Sequence, residues 1–432
     1  MREWVSWNGN AKHSYENLFE PETESAIAKI VKTAEKRVRV IGTGRSSANI
    51  VGGAETLISL LKYNHVIDID KEKMRITVQA GITLKLLINE LEQEGWCLPS
   101  LPDIDDITLG GVLATGTHGT GHDAVLLSGY MVGCNLIKAD GTVIAISEES
   151  DLLEAVRVSV GVLGIMSTIT LQCSPIYSLK IDEAPEDDKD WMPKFETMLK
   201  DYDFLRILWL PHTDKGYVIK GNKCPNNEKV PTIKGPWYLK YRRPASVFLY
   251  KYTSTFPALI SFVNKLLYTL FFRSNQQKSG TLYDATVTKS RGSTLELAEW
   301  TIPADRFLEV FSELRDELHC FSNSAFAHIP MDIRYVRADK SWLSYAYGAD
   351  TITVGCVTRN AHQADTYDAF NKIEEVFYKH KGRPHWAKRH KLKSAELSQL
   401  YPKWDQFVEL RKEMDPSGKF LTDYIAKLFG EK

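Results

Sequence analysis

Arg37-Val-Arg-Val-Ile-Gly-Thr-Gly-Arg-Ser-Ser47 reads as a β-strand that runs straight into a glycine-rich turn. Strand followed by Gly42-x-Gly44 begins like a dinucleotide fingerprint. The third glycine of that pattern would fall at Ser47, and no helix signal follows, so a Rossmann fold is not expected. The chemistry survives without that fold. Glycines let successive N–H groups turn toward one anion, and the Ser46 and Ser47 hydroxyls add donors. Taken singly, the same residues also suit a tight turn closing a strand.

A second stretch repeats the idea: Thr108-Leu-Gly-Gly-Val-Leu-Ala-Thr-Gly-Thr-His-Gly-Thr-Gly121. Threonines among glycines offer donors while a planar ligand approaches the backbone closely. We read Gly110 to Gly121 as a loop. His118 is either a ligand contact or a buried hydrogen-bonding residue. Two such loops in a region of alternating strands and helices point to a large phosphate-bearing cofactor.

Around them the elements are plain. Pro21-Glu-Thr-Glu opens a helix carrying Ile27, Ile30, Val31 and Ala34 at helical spacing. His65–Asp70 and Arg75–Gln79 alternate as hairpin strands, and Thr83 to Glu94 is a helix stopped at Gly95. Tyr130–Ile137 and Thr142–Ile146 pair across Ala139-Asp140-Gly141. Composition shifts after Cys173-Ser-Pro175 to aromatic-rich strands such as Phe204–Leu210. We expect an α+β chain with domains at 1–175 and 176–382, and a C-terminal segment, 383–432, packing back on the first.

The 432 residues suffice for two domains, and 43% hydrophobic with 25% charged residues is ordinary for a globular protein. A net charge of −1 gives no basic field for nucleic acid. The six scattered cysteines make no metal spacing, so no metal is expected, and they fit a reducing compartment. The N-terminus has no apolar core of a cleavable signal, so an intracellular location is expected. Residues 256–272 are apolar but short of the ~20 residues that span a bilayer, and Asn264 and Lys265 interrupt them. They suit either a helix lying in a membrane surface or a buried inter-domain helix.

Near the far end, Gly382-Arg-Pro-His-Trp-Ala-Lys388 sets an imidazole, an indole and an ammonium in one turn. Asp332-Ile-Arg334 places an acid and a base at i and i+2, on one face of a strand. Spacing alone favours a surface ion pair.

Taken in order, these pieces resemble the vanillyl-alcohol-oxidase type of FAD-binding (PCMH-type) fold, and within it the aldonolactone oxidases. Leu163-Gly-Ile165, Leu208-Trp-Leu-Pro-His-Thr213 and Met414-Asp-Pro-Ser-Gly-Lys-Phe-Leu421 extend the similarity over most of the chain. The resemblance implies a two-domain flavoprotein whose FAD diphosphate lies on Gly42, Thr43, Gly44, Ser46 and Ser47. Thr108, Gly110, Gly111, Thr115, Gly116, Thr117, His118 and Gly121 would hold FAD from the second loop. Pro102 and Asp103 would lie beside the isoalloxazine, Pro102 favouring oxygen access. Gly164 and Ile165 would meet the adenine end or the flavin edge.

Gulonolactone-oxidising members bond the flavin covalently to a histidine where this chain has Arg45. Dissociable FAD is therefore expected, with Arg45 facing either the diphosphate or a nearby carboxylate. Lys388, Arg334, His385 and Asp332 become the catalytic candidates, with Asp332 in place of a glutamate, while Trp386 packs and orients its neighbours. The implied reaction oxidises a sugar 1,4-lactone of the L-gulono type with O2, giving H2O2, as in ascorbate-type biosynthesis. Membrane association of the animal enzymes favours the membrane-surface reading of 256–272. An alditol oxidase, a dehydrogenase with another acceptor, and a flavin-binding protein without turnover are the alternatives. The residues themselves identify no general base.

Overall fold

The computed structural model describes residues 2–9, 11–224, 237–253, 255–287, 295–320, 330–359 and 364–431. The first glycine turn is built on parallel strands. β1 (Asn17–Phe19) precedes α1 (Glu24–Thr33), whose cap is Thr23 and whose buried face carries Ile27 and Val31. β2 (Val38–Ile41) and β3 (Thr56–Ser59) complete a three-stranded parallel sheet in the order β1-β3-β2. Every residue of β3 is buried, as a central strand of a covered parallel sheet requires.

A second sheet supports the second glycine stretch. β4 (Val66–Asp70) and β5 (Arg75–Gln79) form the expected hairpin, and α2 (Leu84–Gln93) starts at a Thr83 cap. The stretch expected to be one loop begins instead with a short helix, α3 (Leu109–Ala114). The Leu109 and Gly110 amides donate to the Ile82 and Ala80 carbonyls, and Leu109, Val112 and Leu113 are buried. Tertiary burial overrides two glycines' poor helix propensity there. β6 (Met131–Ile137), β7 (Val143–Ile146) and β8 (Ile165–Gln172) complete an antiparallel sheet in the order β7-β6-β8-β5-β4.

Beyond it lies an eight-stranded antiparallel sheet. Its strands are β9 (Ser178–Asp187), β10 (Phe204–Leu210), β11 (Lys215–Cys224), β12 (Gln276–Thr281), β13 (Leu295–Pro303), β14 (Met331–Val336), β15 (Thr351–Arg359) and β16 (Arg383–Pro384). The order is β12-β9-β11-β10-β14-β15-β13-β16. One face is apolar, with Trp209, Trp300, Ile333, Val354 and Cys356 buried. Helices Phe307–Cys320 and Ala364–Lys379 are amphipathic and pack on this sheet. The other face carries charged residues and is the wall of the site.

The apolar segment divides its surface. Helix Ile260–Phe271 buries Ile260, Val263, Asn264, Leu267 and Phe271, with the Asn264 amide donating to the Pro211 carbonyl. Phe262, at 65% exposure, Phe256, Leu259 and Leu270 face outward. Asn264 thus belongs to the packed face rather than interrupting an apolar one. Among the described residues no helix is long and apolar enough to cross a membrane.

Candidate active site

One cleft runs between the glycine loops and the charged face of the large sheet. It encloses ≈ 1770 Å³ of empty space, part of it open to solvent.

At the loop end, the wall is rich in glycine. Gly44 has φ +67, the left-handed region that glycine adopts cheaply. A Cβ on Gly42 would lie 2.0 Å from Thr108 Oγ1, so the two loops touch there and any side chain would part them. Gly42, Thr43, Gly44, Arg45 and Ser46 line the cleft with Thr108, Gly110, Gly111, Thr115, Thr117 and His118. Pro102, Asp103, Gly164 and Ile165 line it too. Ser47 does not line the cleft; its hydroxyl is buried with no hydrogen-bond partner among the described residues. Gly116 and Gly121 stand behind the wall. The Gly116 carbonyl accepts from the Tyr345 hydroxyl, and Gly121 packs closely on the Asp203 backbone. A glycine-lined wall bearing threonine and serine hydroxyls, where a Cβ on Gly42 would collide with Thr108, fits FAD.

Arg45 takes the carboxylate partner. Its guanidinium pairs with Asp106 and lies 5.7 Å from the Trp7 ring centre. The C-terminal turn is locked to the same loop, with the Ser47 and Ala48 amides donating to the Ala387 carbonyl at 2.8 and 3.1 Å.

At the sheet end, two aspartates and two arginines close a buried ring. Arg206 donates to both Asp332 oxygens at 2.8 Å and to Asp103 Oδ2 at 2.9 Å. Arg334 Nη2 lies 2.7 Å from Asp103 Oδ1 and also pairs with Asp332. A surface ion pair is thereby ruled out, since the Arg334 side chain is 8% exposed. Burial pushes the Asp332 carboxyl up, but Arg206 and Arg334 outweigh it and hold it below its usual range. Burial opposes the Arg334 charge, yet Asp103 and Asp332 raise its pKa further.

Strand register then sets a row. Asp332 pairs with Gly355, and Gly355 with Glu299, across β14, β15 and β13. The His385 amide donates to the Glu299 carbonyl at 3.0 Å, bringing the C-terminal turn beside the row. Gly355 leaves a slot between two carboxylates, its missing Cβ 3.5 Å from that of Asp332. Glu299 Oε1 lies 2.6 Å from His118 Nε2. Burial raises the Glu299 carboxyl, but His118 and the Lys388 cation hold it well below the usual range.

His385 is buried, and burial pushes its pKa down to about 3, so the ring is neutral. Its Nδ1 accepts from the Ala387 amide at 3.1 Å, which leaves Nε2 as a donor. Lys388 lines the cleft beside it. Trp386 is 1% exposed, donates to the Leu343 carbonyl at 2.7 Å and packs on Tyr401. The ligand atoms of His118, Glu299 and His385 lie within 4.8 Å of one another. A cation there would have to break the short His118–Glu299 hydrogen bond.

Asp332, Arg334, His385 and Lys388, the catalytic candidates expected from the sequence, all line the cleft; Arg206, Glu299 and Gly355 beside them were not among those candidates. The available signal was a charge inside an otherwise apolar strand, as in Leu297-Ala-Glu-Trp.

A family model described as D-arabinono-1,4-lactone oxidase matches residues 169–428, and one described as FAD binding domain matches 16–147. L-gulonolactone oxidase of Mus musculus is 30% identical, over 99% of this chain and 98% of its own length. The chain belongs to the aldonolactone oxidase family. It is accordingly an FAD-dependent oxidoreductase. L-gulono-1,4-lactone dehydrogenase of Mycobacterium tuberculosis is 28% identical over 99% of each chain. Cholesterol oxidase of Brevibacterium sterolicum superposes with a TM-score of 0.81 at 14% identity, covering 99% of this chain and 96% of its own. That likeness shows the PCMH-type fold with a second domain.

Proposed function

We propose that this aldonolactone oxidase family member oxidises a sugar 1,4-lactone of the L-gulono type and passes the electrons to O2, giving H2O2. The observation that carries this is one cleft with a glycine-rich wall at one end and a slot of charged and neutral polar groups at the other. Bound FAD supplies the hydride acceptor. Residues 1–175 would hold it, 176–382 would cap it, and 383–432 would close the loop end. The Ala387 contacts, and a Val38 amide that donates to the Lys419 carbonyl at 2.9 Å, support that closure.

The chain's own groups divide the work. Arg334 and Lys388 stabilise negative charge developing on the substrate oxygen. His385 Nε2–H orients the lactone as a neutral donor, and Asp332 holds Arg334 in place. FAD is dissociable, because Arg45 cannot form a histidyl bond and is engaged by Asp106. Pro102 in the wall supports oxygen as acceptor. The outward apolar residues Phe256, Leu259, Phe262 and Leu270 support contact with a membrane surface. An ascorbate-type product follows from the substrate class.

The test is an aerobic peroxide assay over a panel of lactones and alditols. The reading predicts lactone-dependent peroxide. Turnover on alditols alone would replace the substrate class. Turnover only with an artificial acceptor would replace the acceptor, in line with the mycobacterial relative's name.

A further inference from the structure

We propose that Glu299, held as an anion by a protonated His118, is the group that takes the hydroxyl proton of the substrate. This rests on the lactone reading above. His118 Nδ1 lies 2.8 Å from the Gly119 carbonyl, which only accepts, so Nδ1 carries a proton. Nε2 faces Glu299 Oε1 at 2.6 Å, and a contact that short needs a second proton between them. The pair therefore holds one shared proton, and with it on the imidazole Glu299 is a carboxylate.

Elimination points the same way among the described groups lining the slot. Both oxygens of Asp332 and both of Asp103 are engaged by Arg206 and Arg334. His385 has its lone pair committed to the Ala387 amide. Arg334 and Lys388 are cations. Glu299 Oε1 holds His118, which leaves Oε2 to accept, and Gly355 beside it opens room for a hydroxyl. His385, Lys388, Arg334 and Tyr345 also face this carboxylate, and the two cations Lys388 and Arg334 favour its anion.

The step balances. The carbinol C–H bond breaks and its hydrogen leaves with the electron pair to bound FAD. The O–H proton goes to Glu299, and the C–O bond becomes C=O. His118 is a positioning residue that acts through Glu299.

Two readouts test this. In the FAD-loaded protein, nitrogen NMR of the histidine rings should show His118 protonated on both nitrogens at neutral pH, and neutral in Glu299→Gln. A neutral His118 in the parent protein would overturn the shared-proton assignment, whatever the substrate. Rapid mixing with L-gulono-1,4-lactone should show flavin reduction about 10²–10⁴-fold slower in Glu299→Gln, with reduction by dithionite unchanged. Glu299→Asp should restore part of the rate, and His118→Gln should move the acid limb of the rate–pH profile upward. Equal rates in the parent and Glu299→Gln would overturn the base assignment. Failure of the parent to be reduced by any lactone would overturn the lactone reading instead, with the NMR result still deciding the pair.

Discussion

The two ends of the cleft are built in opposite ways. The loop end is local: Gly42 to Ser46 and residues between Thr108 and His118 are short glycine-rich runs that line the wall. The sheet end is assembled: Arg206, Glu299, Asp332 and Arg334 come from distant parts of the chain and meet through strand register, while Asp103 and His385 reach them from loops. A wall that binds by backbone tolerates no side chain. A wall that works by charge tolerates no missing partner.

That contrast gives tests of decreasing size. Arg334→Met should keep bound FAD, because the residue belongs to the sheet end. Arg206 still bridges Asp103 and Asp332, so the protein stays folded. Lactone-driven flavin reduction should fall about 10²–10³-fold, the usual cost of one preorganised donor. Loss of FAD from this variant would break the division between the ends.

Gly42→Ala should do the reverse. Its Cβ would overlap Thr108 Oγ1, and such overpacking costs about 1–3 kcal/mol, or about 5–150-fold in FAD affinity. Thr108→Ala in the same chain should recover part of it. Equilibrium titration of apoprotein with FAD measures both. Acid precipitation of the parent should leave yellow colour in the supernatant, and colour held in the pellet would contradict dissociable FAD.

The smallest effect belongs to neither end. Phe262→Asp lies on the outward face of helix Ile260–Phe271 and should leave turnover unchanged while weakening vesicle binding. Unchanged binding would remove the membrane contact and sharpen the account to the cleft alone.

The contrast also explains what was legible in the sequence. Glycine runs act within a few residues, so the loop end could be read directly, including the dinucleotide chemistry without a Rossmann helix. Even there, burial of Leu109, Val112 and Leu113 turned an expected loop into a helix. At the sheet end, Asp332 and Arg334 were visible as an i, i+2 pair. Arg206 was not, because its partners lie on β14 and in the segment around Asp103. Glu299 was hidden for the same reason, since its meaning depends on His118 and on Gly355 in the next strand. The Pro-His-Trp-Ala-Lys turn was legible as a cluster, but its docking through Ala387 was not.

The central claim is that one cleft brings a sugar lactone against FAD. Anaerobic mixing of the FAD-loaded protein with L-gulono-1,4-lactone tests it most directly. The account predicts that the yellow flavin absorbance bleaches and returns when oxygen is admitted. A flavin that stays oxidised with every sugar lactone offered would contradict it.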